Sequence, residues 1–263
     1  MTIQQQTIDL ETATGTMRCR VFRPTNAGAF LSVIFYSEIF QITEPIARTA
    51  AYLAGHGYVV IVPEVFHELN EIGTILAYDD AGKDKGNDDK FTKPLSDHDT
   101  DTQAIVAWVD AEDFCNGSVG SFGVCLGGHL ACRAALHPRI QGAACLYATD
   151  IHSSTMPAGT RPQTIDLLGD ISGEVMFIWG KQDPHVPLEG RKLLYNTLNE
   201  VGTNHSWHEF NAQHAFMRDE GDRYDPEIAT LCHRLILDLF HRTLDKSDAS
   251  HPPKSSTALH LSK

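Results

Sequence analysis

A cysteine on a tight turn is the feature of this sequence best suited to chemistry. Cys125 lies in the stretch 118–129, with a glycine two residues away on either side. Residues 119–122 are predicted to form a short strand, followed by an alanine-rich helix that runs from Leu126 until Pro138 ends it. Glycines suit this position, because a nucleophile on a strained turn leaves no room for neighbouring side chains. The pattern predicts a nucleophile elbow; a plain core cysteine is the alternative.

The elbow would make Cys125 reactive in two ways. The N-terminus of a helix favours a thiolate over a thiol. The backbone N–H of Leu126 is placed to help hold the oxyanion that forms when a carbonyl group is attacked. A catalytic elbow also needs a base and an acid that orients the base.

Asp183 and His214 are the candidates for that acid and that base. Asp183 follows a predicted strand at 175–179, and His214 follows one at 206–210. The order cysteine, aspartate, histidine matches that of α/β-hydrolases. We expect Cys125 to attack, His214 to carry the proton, and Asp183 to fix the imidazole tautomer. A turn-forming aspartate before proline is the alternative for Asp183.

The elements that must position these residues alternate between strands and helices. Apolar runs at 31–36 and 58–63 read as buried strands, with a helix between them that begins at Pro45. This rhythm predicts an α/β-hydrolase-type fold, with a mostly parallel, doubly wound sheet and helices on both faces. Residues 4–10 and 16–23 are predicted to form a β-hairpin at the sheet edge.

One segment, 67–97, breaks the rhythm because it is polar and rich in Asp, Lys and Gly. A long segment without periodicity is typical of a lid or a binding loop. The stretch 97–101 resembles the opening of a calcium loop, but Thr102 stands where that loop needs glycine. We therefore expect no metal there, and interpret Asp99 or Thr100 as a helix cap.

Composition limits the class of protein. The formal charge of −13 argues against nucleic acid and anionic membrane surfaces as partners. The six cysteines include no C-x-x-C pair, so they read as thiols, and we expect neither a metal nor another cofactor. The sequence shows no apolar run long enough for a membrane span and no signal-peptide pattern, which predicts a cytoplasmic protein.

The length of 263 residues suits one large α/β domain. We expect this domain to cover residues 1–245, with the lid-like segment inside it. Residues 246–263 are rich in Ser, Pro, Lys and His and are predicted to be a disordered tail.

With these motifs the sequence resembles the dienelactone hydrolase (carboxymethylenebutenolidase) family, across roughly residues 5–244. Residues 214–216 and residues 38–40 are further matches. The resemblance implies that Glu38 interacts with the resting thiol and takes part in activating it when substrate arrives. It also implies that the backbone N–H of Ile39 joins that of Leu126 in the oxyanion hole. From the residues alone, Glu38 could equally be an exposed loop carboxylate.

The sequence also departs from the family pattern. Ser37 and Gln41 stand where the family often has glutamine and glycine. The resemblance implies that two arginines hold a substrate carboxylate, and Arg218 matches one of them. No arginine lies between Arg48 and Arg133 to supply the other, although Lys83, Lys85, Lys90 and Lys93 lie in the lid-like segment. A surface ion pair with a neighbouring acid is the alternative for Arg218.

These observations predict a hydrolase of small lactones or activated esters that works through a cysteine acyl-enzyme. Its partner would be a small-molecule substrate, and Arg218 would suit an anionic one. Two alternatives stay open. One is a general carboxylesterase or thioesterase with a neutral substrate, and the other is a non-catalytic receptor of the same fold that binds a small ligand.

Overall fold

In the computed structural model, which describes residues 1–157 and 159–245, eight strands form one sheet. The strands are β1 (Ile3–Thr12), β2 (Gly15–Pro24), β3 (Phe30–Tyr36), β4 (Tyr58–Pro63), β5 (Cys115–Val124), β6 (Ile140–Leu146), β7 (Glu174–Gly180) and β8 (His205–Phe210). Their order across the sheet is β1-β2-β4-β3-β5-β6-β7-β8.

The sheet is antiparallel at one edge and parallel elsewhere. β1 and β2 form a hairpin, and β2 pairs antiparallel with β4. All pairs from β4 through β3 to β8 are parallel. This arrangement confirms the predicted edge hairpin and the predicted doubly wound sheet.

Helices cover both faces of the sheet. They are α1 (Glu44–Gly55), α2 (Asp80–Thr92), α3 (Leu95–Ala111), α4 (Leu126–Ala134), α5 (Leu188–Val201) and α6 (Pro226–Leu244), together with a 3-10 helix at Thr164–Asp170. Residues of α1 and α6 belong to one apolar core, and residues of α3, α4 and α5 belong to the other. Strands covered on both faces must be apolar throughout, and every residue of β4 is buried.

The lid-like segment contains a helix that the sequence did not reveal. The buried positions of α2 are Gly82, Gly86, Asp89 and Lys90. Their spacing is helical, but glycine and charged side chains produce no apolar stripe. The segment predicted to be a lid or a binding loop therefore contains regular structure at residues 80–92, and its role as a lid stays a prediction.

The prediction that Asp99 or Thr100 caps a helix is also wrong. Helix α3 begins at Leu95 with Pro94 at the cap position, so both residues lie inside the helix. The first turns bury Leu95 and His98, and a polar residue at a buried position hid these turns from the apolar pattern. Asp99 instead accepts two hydrogen bonds from Arg133, at 2.8 and 2.7 Å.

Helix α4 is shorter than predicted. It ends at Ala134, and the N–H groups of Leu136 and His137 donate to carbonyl groups three residues back. This tighter winding ends the α-helix before Pro138 is reached.

The predicted tail at 246–263 lies outside the described residues. Within the described residues, none of the helices combines the length and the apolar character that a membrane span needs.

Candidate active site

The turn between β5 and α4 has the geometry of a strained elbow. Cys125 has φ 59° and ψ −123°, and α4 begins at the next residue. A Cβ atom at Gly123 would lie 1.8 Å from the carbonyl oxygen of Gly127, and one at Gly127 would lie 2.0 Å from that of Tyr36. Both positions therefore require glycine. A side chain at Gly123 would collide with the backbone at the start of α4, and one at Gly127 would collide with the backbone at the end of β3.

Cys125 is the most accessible thiol of the chain. It is half-buried and lines a cavity of about 170 Å³, whereas the other five cysteines are buried. Burial raises the pKa of the Cys19 and Cys145 thiols well above their ordinary value, which keeps them protonated. These buried thiols behave as small apolar core residues.

Asp183 and His214 meet at the carboxyl edge of the sheet. β7 and β8 end in register, with Gly180 paired to Phe210, so the loops that follow lie side by side. His214 Nδ1 lies 2.7 Å from Asp183 Oδ2, and both side chains are buried. The other carboxylate oxygen of Asp183 accepts the backbone N–H of His185 at 2.8 Å. Asp183 is therefore held from both oxygens, which orients the imidazole.

His214 is held in its charged form by its neighbours. Burial alone would lower the pKa of this imidazole, but the charge and hydrogen bond of Cys125 and the carboxylate of Asp183 outweigh it and raise the pKa to about 10. An imidazolium next to a cysteine stabilises the thiolate. Cys125 and Asp183 thus both stabilise a positive charge on His214.

Glu38 lies in the cavity wall just after β3. It is 2 % exposed, so the exposed-loop alternative is wrong. Its Oε2 atom accepts a hydrogen bond from the Tyr78 hydroxyl at 3.0 Å and lies 3.8 Å from Arg218 Nη1.

Gln41, where the family often has glycine, has φ 69°, a backbone region that favours glycine. A glycine would adopt this backbone conformation without strain. This chain adopts the same conformation with glutamine at position 41.

The two backbone groups expected to form an oxyanion hole are the N–H groups of Leu126 and Ile39. Leu126 is the first residue of α4, where N–H groups have no partner within the helix. Ile39 lines the same cavity as Cys125 and His214. Their role in holding an oxyanion stays a prediction.

Arg218 points into the protein rather than along its surface. The side chain is 12 % exposed, and its guanidinium lies 4.1 Å over the ring of Tyr78. Its Nε donates to the main-chain carbonyl of Glu220 at 3.1 Å, while the carboxylate of Asp219 binds Arg48. A surface ion pair between Arg218 and a neighbouring acid, which the sequence left open, is therefore not formed.

Comparisons with known proteins agree on one family. The model of the "Dienelactone hydrolase family" matches residues 17–244. The chain belongs to this family. A Saccharomyces cerevisiae protein named "Putative carboxymethylenebutenolidase" is 38 % identical over 257 residues, covering 93 % of each chain. A carboxymethylenebutenolidase from a Pseudomonas species is 24 % identical over 210 residues, covering 80 % of this chain and 84 % of its own.

Solved structures show the same fold. The crystal structure of a "Putative Dienelactone Hydrolase" from Klebsiella pneumoniae superposes with a TM-score of 0.80 at 21 % identity, over 92 % of this chain and all (100 %) of that one. The resemblance drawn from the sequence motifs is thus confirmed, as is the α/β-hydrolase-type fold. As a member of the dienelactone hydrolase family, the chain is a hydrolase that acts on ester bonds.

The cavity of this family member contains three lysine and arginine residues besides Arg218. Its lining includes Lys83, Lys90, Arg218 and Arg223, whereas Glu38 is the one carboxylate that lines it among the described residues. No motif marks the two lysines, because they lie on a helix without an apolar stripe. Arg223 carries no sequence signal, since only the fold of its loop brings it to the cavity.

A second cluster of polar residues has the composition of a metal site but not its chemistry. Ligand atoms of His67, Glu68 and Asp101 lie within 4.8 Å of one another. The Lys93 ammonium group binds both carboxylates, at 2.7 and 2.6 Å, and the carbonyl of Val65 at 3.0 Å. A lysine at the centre already neutralises the carboxylates, so the cluster reads as a buried ion-pair network.

Proposed function

We propose that this protein hydrolyses small lactones or activated esters through a Cys-His-Asp triad and a cysteine acyl-enzyme. The observation that carries the proposal is that Cys125 and His214 line one cavity, and that His214 in turn contacts the buried Asp183. His214 is hydrogen-bonded to Cys125 on one side and lies 2.7 Å from Asp183 on the other. Family membership supports the same chemistry.

The first half-reaction transfers the acyl group to the enzyme. The Cys125 sulfur attacks the carbonyl carbon, and the carbonyl oxygen becomes an oxyanion that the N–H groups of Ile39 and Leu126 are placed to hold. When the intermediate collapses, the C–O bond breaks and His214 gives its proton to the leaving oxygen. With a lactone, the leaving oxygen stays part of the acyl chain.

The second half-reaction releases the acid. His214, now neutral, takes a proton from water while the water oxygen attacks the thioester carbon. The C–S bond then breaks, and the thiolate and imidazolium are restored. Asp183 stabilises the positive charge each time it forms on His214.

We further propose that the substrate carries a carboxylate that Arg218 binds. Two lysines, two arginines and one carboxylate line a cavity of about 170 Å³ in a protein of formal charge −13. A charge pattern opposite to that of the whole molecule supports an anionic ligand. The volume supports a small one. Glu38 would take part in activating Cys125, because both side chains line the same cavity.

The experiment is a substrate panel with the purified full chain. It compares an enol-lactone bearing a carboxylate, the methyl ester of that lactone, and p-nitrophenyl acetate. The wild type should turn over the carboxylate lactone with the highest kcat/KM, and quenched samples should show a mass increase of one acyl group on Cys125. Cys125→Ala should lose both turnover and adduct, while Cys132→Ala, in the same helix, should retain both.

Each alternative would give a different result. A general esterase or thioesterase would prefer the neutral substrates. A non-catalytic receptor would bind the lactone without turnover. Full activity in Cys125→Ala would contradict the cysteine mechanism.

A further inference from the structure

Tyr78 contacts two charged residues of the cavity wall, Glu38 and Arg218. Its hydroxyl donates to Glu38 Oε2 at 3.0 Å, and its ring lies 4.1 Å beneath the Arg218 guanidinium. Tyr78 is not among the residues that line the cavity beside Cys125. Tyr78 therefore reaches the cavity through the residues it contacts, of which Glu38, Arg218 and Phe40 line it.

The hydrogen bonds of Tyr78 have one consistent direction. A carboxylate only accepts hydrogen bonds, so the single phenolic proton points to Glu38. The phenolic oxygen is then free to accept, and Thr43 Oγ1 lies 2.7 Å from it. Thr43 therefore donates to Tyr78, and Tyr78 donates to Glu38. Three side chains form a relay that ends on the Glu38 carboxylate.

The position of Thr43 independently supports a specific interaction between Thr43 and Tyr78. Thr43 is the cap residue of α1, with the extended backbone typical of that position. A threonine there ordinarily accepts a backbone N–H of the first helical turn through its side-chain oxygen. In this protein the Thr43 side chain makes no capping hydrogen bond, and its hydroxyl bonds to Tyr78 instead. The interaction with Tyr78 has replaced a favourable local one.

The backbone around Tyr78 is also fixed. Leu76 donates its N–H to the carbonyl of Phe40 at 3.1 Å, and the Phe40 ring meets the Tyr78 ring edge-on at 4.7 Å between centroids. The next residue, Asp79, caps α2 by accepting the N–H of Gly82 at 2.8 Å. Tyr78 is therefore tied to the loop that carries Ile39 and to the helix that carries Lys83.

We propose that Tyr78 is a positioning residue that holds the Glu38 carboxylate in place and supports the Arg218 guanidinium, with Thr43 orienting its hydroxyl. The inference rests on the proposed function, because that function gives Glu38 its part in activating Cys125 and gives Arg218 its part in binding the substrate carboxylate. Without the hydroxyl, Glu38 Oε2 keeps Arg218 as its nearest charged partner. The carboxylate would then move toward Arg218 and away from its working position.

The test uses Tyr78→Phe, which removes the hydroxyl and keeps the ring under Arg218. This variant should lower kcat for neutral esters by about tenfold, the effect of one hydrogen bond to a charged group, with KM nearly unchanged. Thr43→Val should lower kcat in the same direction by a smaller factor. Tyr195→Phe, at an exposed tyrosine of α5, is the matched control and should behave as the wild type.

A double mutant separates positioning from a general loss of structure. In a Glu38→Ala background there is no carboxylate to hold, so adding Tyr78→Phe should leave the residual turnover unchanged. The rate at which iodoacetamide alkylates Cys125 gives a second readout. This rate should differ between the wild type and Tyr78→Phe. It should be the same for Glu38→Ala and for the Glu38→Ala, Tyr78→Phe double mutant. Wild-type kcat in Tyr78→Phe, or an equal loss in both backgrounds, would overturn the inference. A wild type that hydrolyses no ester or lactone would overturn the proposed function instead, and the alkylation rates would still test the positioning.

Discussion

Arg48 binds both carboxylate oxygens of Asp219, at 2.7 and 2.9 Å, and thereby leaves the neighbouring Arg218 to the cavity. Adjacent residues in one loop thus point in opposite directions. The acid that could have neutralised Arg218 is bound by another arginine at the surface.

Arg218→Gln should therefore act on anionic substrates. Loss of a charge-assisted hydrogen bond should lower kcat/KM for a carboxylate lactone by about ten- to a hundredfold and leave neutral esters nearly unchanged. Steady-state kinetics on the lactone and its methyl ester check this. Arg18→Gln, which breaks a surface ion pair with Asp9 in the edge hairpin, is the control and should affect neither substrate. Equal losses on both substrates would remove the carboxylate role.

Asp183→Asn and His214→Ala should each lower kcat by roughly three to four orders of magnitude. Because the two residues act on one proton, the double variant should be little worse than the worse single one. Single-turnover rates with an activated ester measure all three. Multiplicative losses would show that the two side chains act separately.

The charge on His214 should persist far above neutral pH. Its pKa is raised from 6.5 to about 10, so its contribution to stability should be complete below about pH 6.5 and lost as the pH rises through about 10. NMR titration of the imidazole proton measures the midpoint. Cys125→Ala removes the charge that raises the pKa most, so its midpoint should fall, and Asp183→Asn should also lower it. An unchanged midpoint in Cys125→Ala would mean that the sulfur does not stabilise the imidazolium.

Gly123→Ala should destabilise the protein by about 3 kcal/mol or more, because its Cβ would lie 1.8 Å from a backbone oxygen. Gly55→Ala is the matched control. It lies in α1 with no atom within 4 Å of the added Cβ, so it should be neutral or stabilising by up to about 1 kcal/mol. Urea unfolding compares both with the wild type. A Gly123→Ala protein of wild-type stability would contradict the close approach at the elbow.

The sequence predicted the features that follow from local pattern. Apolar runs gave the buried strands, and the glycine spacing around Cys125 gave the elbow. Because the carboxyl ends of parallel strands meet at one edge, Asp183 and His214 could be expected to lie together before the structure was known. Each of these predictions rests on a short stretch of chain.

What the sequence did not reveal depends on residues far apart or on helices without an apolar face. Helix α2 packs through glycines and charged side chains, so its periodicity is invisible to hydropathy. Tyr78 reaches Glu38 across 40 residues, and its partner Thr43 lies at a cap position that predicts a different hydrogen bond. The role of Arg223 in the lining depends on the path of an irregular loop.

The close approach of α2 at Gly86 bears on any attempt to redesign the range of substrates. A Cβ atom there would lie 2.6 Å from the carbonyl oxygen of Ile39, so helix and loop touch backbone to backbone. Truncating side chains cannot widen the cavity at this boundary, since none separates the two. On this side of the cavity, room for bulkier acyl groups would have to come from Lys83, Asn87 or Lys90, whose side chains line the cavity from the same helix.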